Sequence, residues 1–192
     1  MPDTRWSCRC DAVQIDVADV PSGGVPAICY CTDCRAFARL HDATDDIDPA
    51  GGVSLYSTTP DRLKIVDGAD KLACQRLTAR GPLRWFTTCC DTPLGNGAPL
   101  RGVPFFSVMT AGLADYDARP VARLHRGSAL GKVPKPHGST YALLVGVARR
   151  VIAARLGGRW KDTPFFDDDG SPVADPGRPD AEAMRKAYGT AP

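Results

Sequence analysis

The sequence predicts a mainly β fold with a helical extension at its C-terminus. Three observations lead there. Apolar and polar residues alternate in short segments such as "AVQIDV" (12–17), where Val13, Ile15 and Val17 share one face and Gln14 and Asp16 the other. The 19 glycines and 17 prolines favour short strands joined by turns over long helices. Only after about residue 138 does the apolar spacing turn helical over a long run. A chain of 192 residues suits one domain with an appendage, here divided as 1–137 and 138–192.

In chain order, "PSGG" (21–24) is a turn, and "AICYC" leads into a cysteine cluster. "TDCRAFARLHD" reads as a short helix capped by Thr32 or Asp33, with Cys34, Phe37 and Leu40 on one face. "DATDDIDPAGG" (42–52) is an acidic loop. "VSLYS" and "DRLKIVDG" are two strands around a "TTPD" turn. "KLACQRLTARG" and "PLRWFTT" form a hairpin that turns at Arg80–Gly81. "CCDTPLGN" is a tight polar loop, and "VPFFSVMTAG" and "PVARLHRG" close the sheet. "GSTYALLVGVARRVIAARLGG" carries a Ser139 or Thr140 cap and a Gly157 stop, the marks of a helix. "TPFFDDDGSPVADPGRPD" is a connector; its acidic run lacks the spaced ligands and terminal Glu of a calcium loop. "AEAMRKAYG" is a last short helix.

Net charge is +2, which gives no reason to expect a nucleic-acid partner. The most apolar run is broken by Arg149, Arg150 and Arg155, so no membrane span is expected. The N-terminus has no basic-then-apolar leader, and a cytoplasmic location is expected. Thiols stay reduced there, so clustered cysteines point to metal or catalysis before disulfides.

Eight cysteines are grouped rather than scattered. Cys8 and Cys10 form a CxC. Cys29, Cys31 and Cys34 form "CYCTDC". Cys89 and Cys90 are adjacent, and Cys74 stands alone. In extended chain, residues i and i+2 point to the same side, so a CxC aims two sulfurs at one spot. A CxxC knuckle also converges two sulfurs, so CxCxxC offers three thiolates to one tetrahedral ion, with zinc the default. Three ligands leave a fourth position open, as in catalytic zinc sites. Cys34 falls in the first helical turn, where the helix dipole favours a thiolate. A redox pair of Cys31 and Cys34 is the competing reading, but it leaves Cys29 and the first CxC without a role.

"SCRCDAVQIDV", "CYCTDCRAF" and "WFTTCCDTPLGN" resemble, in order, the CxCGxVxF, CxCxxCR and FCxxCGTPL motifs of the glutathione-dependent formaldehyde-activating enzyme family, which includes centromere protein V. The resemblance covers roughly residues 6–128 and is strongest to a branch with a "CC-x-TP" motif and a C-terminal extension. It implies a β-tent fold of small antiparallel sheets around two zinc sites. Cys29, Cys31 and Cys34 would hold the catalytic zinc; Cys8, Cys10 and Cys90 would belong to the structural one. The family's fourth structural ligand falls at Thr87, which is no zinc ligand, and Asp11 and Asp91 stand where the family has Gly. Cys89 stands in for the missing ligand only if a tight turn brings it beside Cys90.

The other candidates have plainer readings. Cys74 is a small core residue. His41 is a capping or exposed histidine before it is a ligand, His125 packs in a strand, and His137 is exposed. Asp33 is placed either to move a proton near the metal, beside Cys34, or to cap the helix. Asp91 orders its turn, and Trp85 and Phe86 pack a core. The function expected is a zinc-dependent carbon–sulfur lyase-like enzyme acting on a small thiol–carbonyl adduct. The alternatives are a zinc-stabilised binding module without catalysis and a metal-free thiol reductase.

Overall fold

The computed structural model describes residues 3–135 and 138–189, so His137 lies outside the described residues. Among these, a three-stranded antiparallel sheet joins β1 (Thr4–Ser7), β2 (Gln14–Val17) and β5 (Leu63–Asp67) in the order β1-β2-β5. A seven-stranded sheet is built from β3 (Val25–Cys29), β4 (Val53–Thr58), β6 (Leu72–Gln75), β7 (Leu83–Thr87), β8 (Pro93–Gly97), β9 (Phe106–Met109) and β10 (Ala122–Leu124). Its order is β10-β3-β4-β9-β8-β7-β6. The molecule is thus mainly β, as its alternating segments predict. The larger sheet departs from the expectation of small antiparallel sheets, because β10 lies parallel to β3. The long connection after β9 gives the chain room to return in that direction.

One face of the larger sheet packs against the smaller one. Val13, Ile15 and Val17 meet Tyr56, Leu83, Trp85, Leu94, Phe106 and Val108 there, all fully buried. The opposite face is covered by α1 (Thr32–Leu40), which buries Phe37 against Val53, Leu55 and Met109. The period-2 alternation of strands sorts residues between these faces. Along β7, Trp85 points to the first core, while Arg84 and Phe86 point to Phe37 and His41 on the α1 side.

The two strands expected around "TTPD" are β4 and β5; they lie in different sheets, β4 pairing with β3 and β9 and β5 with β2. A 3-10 turn at Pro60–Arg62 carries the chain from one sheet to the other. "CCDTPLGN" is only half a loop: its second part is β8. Pro93 opens that strand, where its missing N–H is tolerated, and Leu94 is fully buried. A side chain at Gly95 would collide with the Ser107 carbonyl oxygen of β9, so glycine lets these strands approach.

The C-terminal segment is helical where expected. Helix α2 (Thr140–Leu156) is capped by Ser139, whose hydroxyl accepts from the Ala142 N–H at 3.1 Å, and it stops at Gly157. Helix α3 (Ala181–Tyr188) follows. The segment is not peripheral, however. Phe165 is fully buried, with its ring stacked on Phe106 at 4.3 Å and beside Trp85 at 4.9 Å. Phe166 enters the same core. Helix α3 lies on α1, where Ala187 is buried and Arg39 donates to its carbonyl at 3.0 Å. Two adjacent aromatics in an otherwise polar connector act here as an anchor. No helix among the described residues is long and apolar enough to cross a membrane.

Candidate metal centres

Seven of the eight cysteines gather into two groups. Cys8, Cys10, Cys89 and Cys90 form the first; Cys29, Cys31 and Cys34 form the second. Within each group the sulfurs lie within 4.8 Å of one another. In the first, Cys8 Sγ is 3.6 Å from Cys10 and 3.8 Å from Cys89, Cys10 is 3.4 Å from Cys89, and Cys89 is 3.8 Å from Cys90. Four sulfurs ~2.3 Å from one tetrahedral zinc would stand ~3.8 Å apart. A disulfide needs ~2.05 Å, and all eight cysteines are free. The spacing therefore fits an ion shared by the sulfurs. Either group is able to hold a metal.

The first group is assembled by two turns. After β1, Cys8, Cys10 and the left-handed Asp11 (φ 55°) make one; Cys89, Cys90 and the left-handed Asp91 (φ 57°) make the other. The tight turn needed to place neighbouring cysteines on one ion is thus present. Arg9 clamps the two turns together. It donates to the carbonyls of Cys90 at 2.8 Å and Asp91 at 2.9 Å, and to the Thr92 hydroxyl at 3.3 Å. Thr87 is not a fourth ligand. Its hydroxyl accepts from the Thr92 N–H at 3.1 Å and lies 3.6 Å from Cys90 Sγ. Cys89, not Thr87, is the fourth member of the group.

The second group sits where β3 runs into α1. Cys29 ends the strand, and its sulfur is 3.4 Å from Cys31. Cys31, and not Thr32 or Asp33, caps the helix: its sulfur accepts from the Cys34 N–H at 3.3 Å. Arg35 is buried and donates to the Tyr30 carbonyl at 2.7 Å, fixing the backbone between the two first sulfurs.

In the second group Cys31 is the thiol drawn toward its thiolate. Hydrogen bonds from Cys29 and Cys34, with the Cys34 N–H and the Arg84 charge, bring it down to about 2. Cys34 is driven up by its contacts with Cys29 and Cys31 and by burial, and Cys29 is pushed up to about 11, chiefly by Cys31. In the first group, burial opposes ionisation of Cys90, yet the Thr92 and Thr87 hydroxyls and Cys10 bring it down to about 5. One thiolate forms readily in each group and the next is opposed by the first, the electrostatics of a site that needs a cation to ionise fully.

The remaining candidates fall elsewhere. His41 is the C-terminal cap of α1, but it is buried, not exposed. Its Nδ1 is 2.7 Å from Asp91 Oδ1 and its Nε2 is 2.9 Å from Gln75 Nε2. The Gln75 amide donates to Nε2, so Nδ1 carries the proton and gives it to Asp91. With both nitrogens engaged, His41 is no ligand; it ties α1 to the Cys90–Asp91 turn. His125 leaves the strand for an exposed left-handed turn (φ 53°). Cys74 is buried, and its thiol donates to the Ala174 carbonyl at 3.1 Å. Asp33 accepts from the Tyr188 hydroxyl at 2.8 Å and lies 3.9 Å from Arg84 Nη2.

Arg84 and Tyr188 escaped the sequence reading. Arg84 is buried beneath α1, 5.3 Å from the centre of the Phe37 ring, and its Nε has no hydrogen-bond partner. Its signal was a charge inside the apolar run "LRWF", where a strand buried on both faces leaves no exposed side.

A family of unknown function (DUF6151) matches residues 4–136. No curated protein matches the chain. A crystal structure of a Rhodobacter sphaeroides protein, solved as a structural-genomics target, is similar at 20% identity and a TM-score of 0.43; the match covers 62% of this chain and 98% of that one.

Proposed function

The chain belongs to the DUF6151 family, and we propose that it is a zinc protein with one closed and one open site, the open one acting on a small thiol–carbonyl adduct. The observation that carries this reading is the inequality of the two cysteine groups. Four sulfurs, enough to complete a tetrahedron around an ion, lie within 4.8 Å of one another at Cys8, Cys10, Cys89 and Cys90. At Cys29, Cys31 and Cys34 there are three, and among the described residues no other donor joins them. Sulfur-only donor sets in a reducing cytoplasm favour zinc over harder ions.

Zinc at the three-cysteine site would supply Lewis acidity and lower the pKa of a thiol brought to it. The protein's own groups do the rest. Cys29, Cys31 and Cys34 hold the site, and Arg35 fixes their backbone. Arg84 offsets the accumulated negative charge from beneath. Asp33, which accepts from the Tyr188 hydroxyl, would take up or release the proton. A β-tent fold and kinship with the formaldehyde-activating enzymes are part of this proposal. Both receive support from the left-handed backbone at Asp11 and Asp91, the two positions where the resemblance expects Gly.

Cobalt-substituted protein tests the reading. Its visible spectrum is expected to shift when glutathione or another small thiol is added, and Cys34→Ser should abolish the shift. Metal retention should fall as pH is lowered, because protons compete for the thiolates. A spectrum unmoved by thiol, aldehyde or adduct would favour the second reading, a zinc-stabilised binding module. The apolar side chains that α2 presents to solvent speak for that module.

A further inference from the structure

Helix α2 places an apolar stripe on the outside of the molecule. Tyr141, Val145, Ala148, Ile152 and Leu156 recur at helical spacing, and all five are exposed or nearly so. Tyr141 is 76% and Leu156 84% accessible, so this is not a core face that relaxed slightly outward. The helix is held to the sheet through its other side, where Leu143 packs on Val25, Ala27 and Ala122.

The charge around the stripe has one sign. From residue 138 to residue 161 the chain carries five cations (Arg149, Arg150, Arg155, Arg159 and Lys161) and no acidic residue. Trp160 lies at the C-terminal end of the helix with the Arg155 guanidinium 4.4 Å from its ring centre. Beside the stripe is a cavity of about 780 Å³. Its wall includes Arg62, Arg149, Arg150 and Arg159, and no carboxylate lines it. Tyr141 and Val145 of the stripe line it as well. Asp19 and Asp61, outside the wall, hold Arg62 and Arg159 by ion pairs. Arg150 is fixed by bonds to the carbonyls of Ser22, Gly23 and Gly146. Arg149 is exposed.

We propose that this face docks on an anionic phospholipid surface, with the stripe entering the acyl boundary and a lipid phosphate seated among the cavity arginines. A second copy of the chain is disfavoured as occupant, because two such faces would bring like charges together. An acidic protein would answer the charge but not the apolar stripe, where Ile152 is 56% and Leu156 84% accessible. An interfacial helix needs an exposed apolar face, flanking cations and an aromatic at its end, and α2 has all three. A surface helix of this kind is compatible with no helix among the described residues being long and apolar enough to cross a membrane.

The test is sedimentation of the full, metal-loaded chain with vesicles of phosphatidylcholine alone or mixed with phosphatidylglycerol. Binding is expected only to the mixed vesicles and should be lost in high salt. Ile152→Glu and Arg149→Gln should each lower the partition coefficient about tenfold or more, with helix content and metal content unchanged because both residues are exposed. Equal binding to neutral vesicles, or variants that bind like the parent, would overturn the proposal. So would tight binding of inorganic phosphate or of polyglutamate by a chain that leaves mixed vesicles unbound; these would make the face a soluble-anion site or an acidic-protein site.

Discussion

Replacing Cys8 and Cys10 with serine is expected to remove one metal ion per chain and to lower the melting temperature by roughly 10–20 °C. A structural zinc contributes its binding free energy to folding, about 10–16 kcal/mol in small zinc peptides. The whole stability of a domain is only about 5–15 kcal/mol, so a loss of even ~5 kcal/mol is large, and each kcal/mol moves a chain of this size by ~2–4 °C. The four cysteines also join turns 79 or more residues apart, as the Cys10–Cys89 contact illustrates. Without the ion, Arg9 would be the main remaining tie between those turns. Cys74→Ser is the control. That thiol is buried but belongs to neither group, and a serine hydroxyl can still donate to the Ala174 carbonyl. It should cost about 1–2 kcal/mol, the penalty of burying a hydroxyl for a thiol. Thermal melts with equal losses for the two variants would contradict a metal at the first group.

Phe165→Ala is expected to be the most damaging single substitution in the C-terminal segment. The side chain is 1% exposed and sits between Phe106 and Trp85. Truncating a buried phenylalanine costs about 3–5 kcal/mol, from lost transfer energy and the cavity left behind. Ending the chain at residue 158 would remove Phe165, Phe166 and α3 together. The exposed core and the lost cover on α1 should then reduce solubility and metal content. A truncated chain that keeps both would show that residues 159–189 are dispensable to the fold.

What was legible in the sequence was local. The alternation at Val13, Ile15 and Val17 identified β2, and Ser139 and Gly157 bounded α2. The spacing of Cys29, Cys31 and Cys34 gathers three sulfurs within six residues, so that group needed no knowledge of the tertiary fold. The first group did need it. Whether Cys89 turns toward Cys90 depends on a left-handed Asp91, and neither residue type nor spacing fixes that backbone. Helix capping by Cys31 was masked by Thr32 and Asp33, better caps by composition, because the knuckle geometry set the helix start one residue earlier. Arg84 and Phe165 were missed for a common reason. Each breaks the local pattern around it, and only long-range packing shows that the exception is buried.

Anomalous diffraction at the zinc edge, on crystals grown without chelator, tests the central claim most directly. Two peaks per chain are predicted, one bonded to Cys8, Cys10, Cys89 and Cys90 and one to Cys29, Cys31 and Cys34. Sulfur distances near ~2.3 Å are expected, with a non-protein ligand on the second ion only. No peak at either group, with a disulfide inside the Cys29–Cys34 cluster, would contradict it.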